Sequence, residues 1–121
     1  CDVFAPCALG PVVTETSLDT FKCSAIAGAA NNQLASPELG RALADAGILY
    51  APDYIINAGG LINVEDELHG YDSARAHRKA EGIAETLREV FSIADREGVT
   101  PSEAADRIAE ARIRSARGRA S

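Results

Sequence analysis

No stretch of this chain is long and apolar enough to cross a bilayer; the longest apolar runs, such as residues 23–30, stop far short of the required length. No excess of positive charge is present either. With 12 Lys and Arg against 18 Asp and Glu, the formal net charge is −6, which argues against a nucleic-acid partner, because phosphate binding draws on clustered cations. The one basic run, Arg112, Arg114, Arg117 and Arg119, sits at the C-terminal end and reads as a frayed, solvated tail. Cysteine is scarce. Cys1, Cys7 and Cys23 are odd in number and match no zinc spacing, so no metal site is expected, and the reading is of buried thiols in a reduced cytoplasmic protein. There is no internal repeat and no low-complexity segment. No signal-peptide pattern precedes the first strand-like run, and the opening on Cys1 leads us to expect a fragment of a longer protein.

What is there is an ordinary globular composition, 46% hydrophobic and 25% charged over 121 residues, enough for one modest core. Short apolar runs alternate with helix signals in the first half. Val3–Ala5, closed by Pro6, reads as a buried parallel strand, and Cys7–Pro11 as a turn. Residues 16–22 suit about two helical turns, with Thr16 or Ser17 as N-cap. Ala25–Ala27 reads as a second strand ended by Gly28. Ser36-Pro37-Glu38 is a helix start, Leu39, Ala42, Leu43 and Ala46 its apolar face, and Gly47 its stop. Ile48–Tyr50 and Tyr54–Ile56 read as a third and a fourth strand. The alternation predicts an α/β fold with right-handed crossovers.

The second half reads as helical: 59–68 stopped by Gly70, then a long helix from an Asp72 cap to Glu97, ended by Gly98. Its apolar face is Ala76, Ala80, Ile83, Leu87, Val90, Phe91 and Ala94. Thr100-Pro101-Ser102-Glu103 is a capping box for a last helix that turns Ala104, Ala105, Ile108 and Ala109 inward. We expect two parts, 1–70 and 71–121.

Asn31-Asn32 and Asn57-Ala58-Gly59-Gly60 each stand directly after an apolar strand, where open α/β sheets bind ligands. Their amides offer donors and acceptors, and the glycine pair lets a backbone approach a ligand closely. The competing reading makes Asn31 and Asn32 turn formers and Asn57 an N-cap. His69 reads as a helix C-terminal group, and His77 as solvated. Glu65, Asp66 and Glu67 point different ways on a helix and read as solvated surface. Cys7 reads as buried, and Lys22 and Lys79 lack a catalytic context.

Three motifs in register, 1–10 (CDVFAPCALG), 27–34 (AGAANNQL) and 50–60 (YAPDYIINAGG), resemble the leucine, phenylalanine and valine dehydrogenases of the glutamate dehydrogenase superfamily, over essentially the whole chain. The resemblance implies the second half of a Rossmann-like parallel sheet followed by C-terminal helices. It implies a partial dinucleotide-binding domain at 1–70 and a helical segment at 71–121. Cys7, Ala8, Leu9, Ala30, Asn31 and Asn57 would face NAD, with Asn57 on the nicotinamide carboxamide. Asn32 would hold the substrate carboxylate, and Leu61 and Val64 would line the substrate side-chain pocket.

Apolar residues there suit a branched-chain or aromatic amino acid, since an unpaired buried carboxylate would cost several kcal/mol. One methylene is worth only ~1–3 kcal/mol, so the pair does not rank valine, leucine and phenylalanine. The family's catalytic lysine and aspartate, and its Gly-rich phosphate turn, have no counterpart here, so no catalytic residue is assigned. The chain is expected to be inactive alone, and the full enzyme to be a homo-oligomer acting on an amino acid and its 2-oxo acid. The alternative is a truncated, non-catalytic paralogue that self-associates or binds a partner.

Overall fold

A computed structural model of the chain describes residues 1–119. Three strands of two residues each, β1 (Val3–Phe4), β2 (Ala25–Ile26) and β3 (Leu49–Tyr50), form one parallel sheet in that spatial order. Val3, Ala25 and Leu49 stand in register, as do Phe4, Ile26 and Tyr50. Helix α1 (Glu38–Asp45) crosses from β2 back to β3. Leu39 and Leu43 on α1 pack with Val13, Ile26, Ile48 and Tyr50 in a core cluster, and Phe4, Val12, Phe21 and Leu34 close its sides. The fold is α/β, as the alternation predicts.

Two segments depart from expectation in the first half. Residues 16–22 hold only a 3-10 turn at Leu18–Thr20. The Ser17 hydroxyl donates to the Val12 carbonyl at 2.7 Å and accepts from the Thr14 amide at 2.9 Å. A short hydroxyl side chain that bonds local backbone offers an alternative to the helix. The expected fourth strand is instead one helical turn, α2 (Asp53–Ile56), followed by α3 (Gly59–Glu67). Pro52 sets the entry, and the Asp53 carboxylate accepts from the Tyr54 amide at 2.7 Å, which starts a turn that periodicity cannot show in so short a run. Ser36 provides no side-chain cap to α1.

The helical half follows its signals closely. Helix α4 (Ser73–Glu97) starts where the Asp72 side chain accepts from the Arg75 amide and stops at Gly98, whose φ of 65° is the left-handed stop. Helix α5 (Pro101–Arg119) opens on the reciprocal box: Thr100 Oγ1 accepts from the Glu103 amide at 3.2 Å, and the Glu103 carboxylate accepts from the Thr100 amide at 2.6 Å. Val90 and Ala94 meet Ala104 and Ala105 in a second cluster, with Ile108 at its edge, while Ala109 faces solvent. Arg41 pairs with Glu103 and Tyr54 donates to Asp106, so α5 is tied to α1 and α2. The basic run is helical rather than frayed. Arg112 and Arg114 are exposed and pair with Glu89 and Glu110. The side chain of Arg119 lies outside the described residues.

The acidic triplet at the end of α3 is not uniformly solvated. Asp66 is fully buried. The Arg75 guanidinium donates to both its oxygens, the Asp72 amide donates to one at 2.7 Å, and Lys79 lies 3.6 Å away. The Arg75 hydrogen bonds, then the Asp72 amide, hold its pKa at about 2, below the ordinary 3.8. A carboxylate depressed on folding stabilises the fold above its unfolded pKa, and that stability is lost as pH falls from about 4 toward 2. Asp66→Asn is therefore expected to lower the Tm at neutral pH and flatten its decline over that window. Thermal melts at stepped pH check this, and an unchanged acid slope would refute the linkage. His69 pairs with Glu65, and exposed His77 with Glu81.

Candidate functional site

Each strand runs into a loop at its carboxyl end, and these loops with the junction of α2 and α3 carry the residues expected to face a cofactor, and Asn32, while Leu61 and Val64 lie on α3. After β1 the chain turns at Pro6 and runs out through Cys7–Pro11. After β2 it passes Gly28 to Asn32, and after β3 it passes Ala51 and Pro52 into α2. The first two loops touch through backbone. The Ala30 amide donates to the Pro6 carbonyl at 2.9 Å, and a Cβ on Gly28 would stand 2.2 Å from that same oxygen and 2.4 Å from the Pro6 nitrogen. Only glycine permits this approach.

The two loops enclose a crevice of about 570 Å³ lined by Cys7, Ala8, Leu9, Gly10, Pro11 and Ala29–Asn32. Its lining includes no charged residue. Leu9 projects fully into solvent, and Cys7 is exposed rather than buried. Cys1 is exposed as well, and Cys23 is half-buried.

Asn32 takes a φ of 54°, the left-handed region that asparagine tolerates better than most residues. Asn31, directly before it, meets the third loop. The Asn57 Nδ2 donates to Asn31 Oδ1 at 2.5 Å. The structure thus brings Asn31 and Asn57 together. Asn32 stays at the boundary with a second recess, which Tyr50, Asp53, Tyr54 and Asp106 also line. Burial first, then the Asp53 charge, push the Tyr50 phenol up to about 12. Tyr54 is also raised, by burial and by its hydrogen bond to Asp106. Both phenols therefore stay protonated at neutral pH.

Asn57 differs from its expected setting in two ways. It follows a helical turn, not a strand, and it ends α2, its amide donating to the Asp53 carbonyl at 2.9 Å. Helix α3 starts at Gly59, and neither Gly59 nor Gly60 has any atom within 4 Å of a Cβ position, so that backbone is open to approach. Leu61 and Val64 lie further along α3, 73% and 57% exposed, continued by Leu68. They form an exposed apolar stripe.

Sequence reasoning missed two residues behind the rim, Gln33 and Asp53. Gln33 is fully buried. Its Nε2 donates to the carbonyls of Gly28 and Ala30 at 2.8 and 2.9 Å, and its backbone amide donates to Asp53 Oδ2 at 3.0 Å. Its own carbonyl accepts from the amides of Val12 and Val13. No spacing rule marks Gln33, which follows the exposed Asn31 and Asn32.

A parallel α/β sheet whose loops meet over a crevice at the strands' carboxyl ends places that crevice where open sheets of this kind take their ligands. Residues 1–117 match the Glutamate/Leucine/Phenylalanine/Valine dehydrogenase family, and the chain belongs to that family. It is 53% identical over 113 residues to leucine dehydrogenase of Thermoactinomyces intermedius, a match covering 93% of this chain and 31% of that protein. It is 50% identical over 118 residues to valine dehydrogenase of Streptomyces albus, covering 98% and 32%. The crystal structure of L-tryptophan dehydrogenase from Nostoc punctiforme superposes with a TM-score of 0.92 at 49% identity, covering 96% of this chain and 36% of that one. The chain thus spans about a third of the length of the curated relatives it matches.

Proposed function

We propose that the chain is the later part of an NAD-dependent amino-acid dehydrogenase, comprising part of the dinucleotide-binding domain (1–70) and a C-terminal helical segment (71–121). The reaction is the reversible oxidative deamination of a branched-chain or aromatic L-amino acid to its 2-oxo acid and ammonia. The observation that carries this reading is the Asn57–Asn31 pair at the mouth of an uncharged crevice. One Asn57 N–H is spent on Asn31. Among the described residues the other N–H and Oδ1 remain, a donor beside an acceptor, which is the complement of a primary carboxamide. An uncharged lining fits the nicotinamide and its ribose and does not suit the pyrophosphate, which calls for a Gly-rich turn at a helix N-terminus.

Bound there, NAD would supply the hydride acceptor. The residues of this chain then do the positioning. Asn57 fixes the ring face, and Cys7, Ala8, Leu9, Ala30 and Asn31 shape the bed beneath it. Asn32 donates to the substrate carboxylate, and Leu61 and Val64 contact its side chain. The acid–base lysine and aspartate belong to another segment of the longer enzyme, so this chain alone is inactive. The full enzyme is a cytoplasmic homo-oligomer, and the three free thiols accord with a reducing compartment.

NADH absorbance with NAD and leucine, valine or phenylalanine tests the proposal. The expected result is no turnover by the chain alone and clear turnover by the longer enzyme. Turnover by the chain alone would refute the division of labour, and a longer enzyme inert toward all three would refute the activity. The exposed stripe Leu61, Val64 and Leu68 favours a second reading, a non-catalytic module that self-associates. That reading requires the isolated chain to be an oligomer whose contact is lost in Leu61→Glu, as read by size analysis.

A further inference from the structure

Gln33 touches all three loops of the rim. Its side-chain amide holds the Gly28 and Ala30 carbonyls of the second loop. Its backbone carbonyl receives Val12 and Val13, where the first loop re-enters the core. Its backbone amide meets the Asp53 carboxylate, whose other oxygen starts α2 and therefore places Asn57 at the end of that turn.

The arrangement carries a cost. Gln33 Oε1 is buried without a hydrogen-bond partner among the described residues. An orphaned acceptor in a core is unfavourable, and an apolar side chain of similar length would avoid it. What an apolar residue cannot do is hold two carbonyls of a loop that turns through a left-handed asparagine at its end.

We infer that Gln33, with Asp53 as its strap to α2, is a positioning residue that couples the three rim loops and so sets where Asn31, Asn32 and Asn57 present their amides. It touches no ligand and acts through those asparagines. That their alignment serves a dinucleotide rests on the function proposed above; the coupling itself does not.

The test pairs two variants with two readouts. Gln33→Met keeps length and volume and removes the amide, and Asp53→Asn weakens the strap while leaving the Gln33 side chain in place. In each, hydrogen exchange at the Ala30 amide should accelerate roughly tenfold or more, the effect of losing one or two such bonds, while the amides of Leu43 and Val90 keep their protection. In the longer enzyme the KM for NAD should rise by a similar factor. Exchange at Ala30 that is unchanged, or that rises only in step with the whole protein, would make Gln33 a plain core residue and overturn the inference. If Gln33→Met does not fold, Asp53→Asn decides. A wild-type enzyme that makes no use of NAD would sink the proposed function and leave the exchange result to judge the coupling.

Discussion

Gly28→Ala is expected to be the most damaging glycine-to-alanine change in this chain. Its Cβ would meet the Pro6 oxygen at 2.2 Å, the Pro6 nitrogen at 2.4 Å and the ring Cδ at 2.6 Å. Two of these are backbone atoms, and Pro6 is itself buried and bound to the Ala30 amide, so no flexible tip can move aside. Overpacking a core typically costs ~1–3 kcal/mol, and a clash with backbone on a rigid ring belongs at or above the upper end. For a domain of this size that is a fall in Tm on the order of 10 °C. Relief requires the first two loops to part, so the crevice between them should open as stability falls. Gly40→Ala is the matched control. Its Cβ would make ordinary contacts, 3.7 Å to Leu34 and 3.8 Å to Ser102, inside α1, where alanine is the better helix former. It should be neutral or stabilising. Equal melting of Gly28→Ala and the unaltered chain would show that the approach of Pro6 is not tight.

The second large effect is expected on function and not on folding. Asn57 is half-buried and among the described residues its side chain holds only the bond to Asn31, so Asn57→Ala should cost the fold little, under about 1 kcal/mol. In the longer enzyme the same change removes the donor–acceptor edge that we assign to the nicotinamide carboxamide. Losing one or two hydrogen bonds worth ~1–2 kcal/mol corresponds to a rise of roughly 5- to 30-fold in the KM for NAD. Because Asn57 also fixes the ring face, kcat should fall with it. Steady-state kinetics against NAD concentration, beside a thermal melt, separates the two outcomes. Normal kinetics would remove Asn57 from the site, and a collapsed melt would make it a structural residue.

How much of this was legible in the sequence follows from range of interaction. The capping box at Thr100–Glu103, the Asp72 cap and the Gly98 stop are satisfied within a few residues, and all three form as written. Strands β1 to β3 were readable because short apolar runs closed by proline or glycine suit a buried parallel sheet. Tyr54–Ile56 was not, because a three-residue apolar run has the same pattern in either state, and the deciding bond is the Asp53 carboxylate on the Tyr54 amide. Asp66 was misread for a related reason. Its burial depends on Arg75 and Lys79 from the next helix, and no spacing rule joins those residues to α3.

At the site, Asn31 and Asn32 were found by their position after β2, and Asn57 by an apolar run that forms a helical turn instead of a strand; Asn31 and Asn57 do meet. Gln33 escaped notice because its partners, Gly28, Ala30, Val12, Val13 and Asp53, are mostly backbone groups brought together only by the folded sheet.

The most direct measurement is a crystal structure of the longer enzyme with NAD bound. The account predicts the nicotinamide carboxamide within hydrogen-bonding distance of the Asn57 side chain and its ribose against Cys7–Leu9 and Ala30–Asn31. A dinucleotide found elsewhere, with the Asn31–Asn57 pair left facing water, would contradict it.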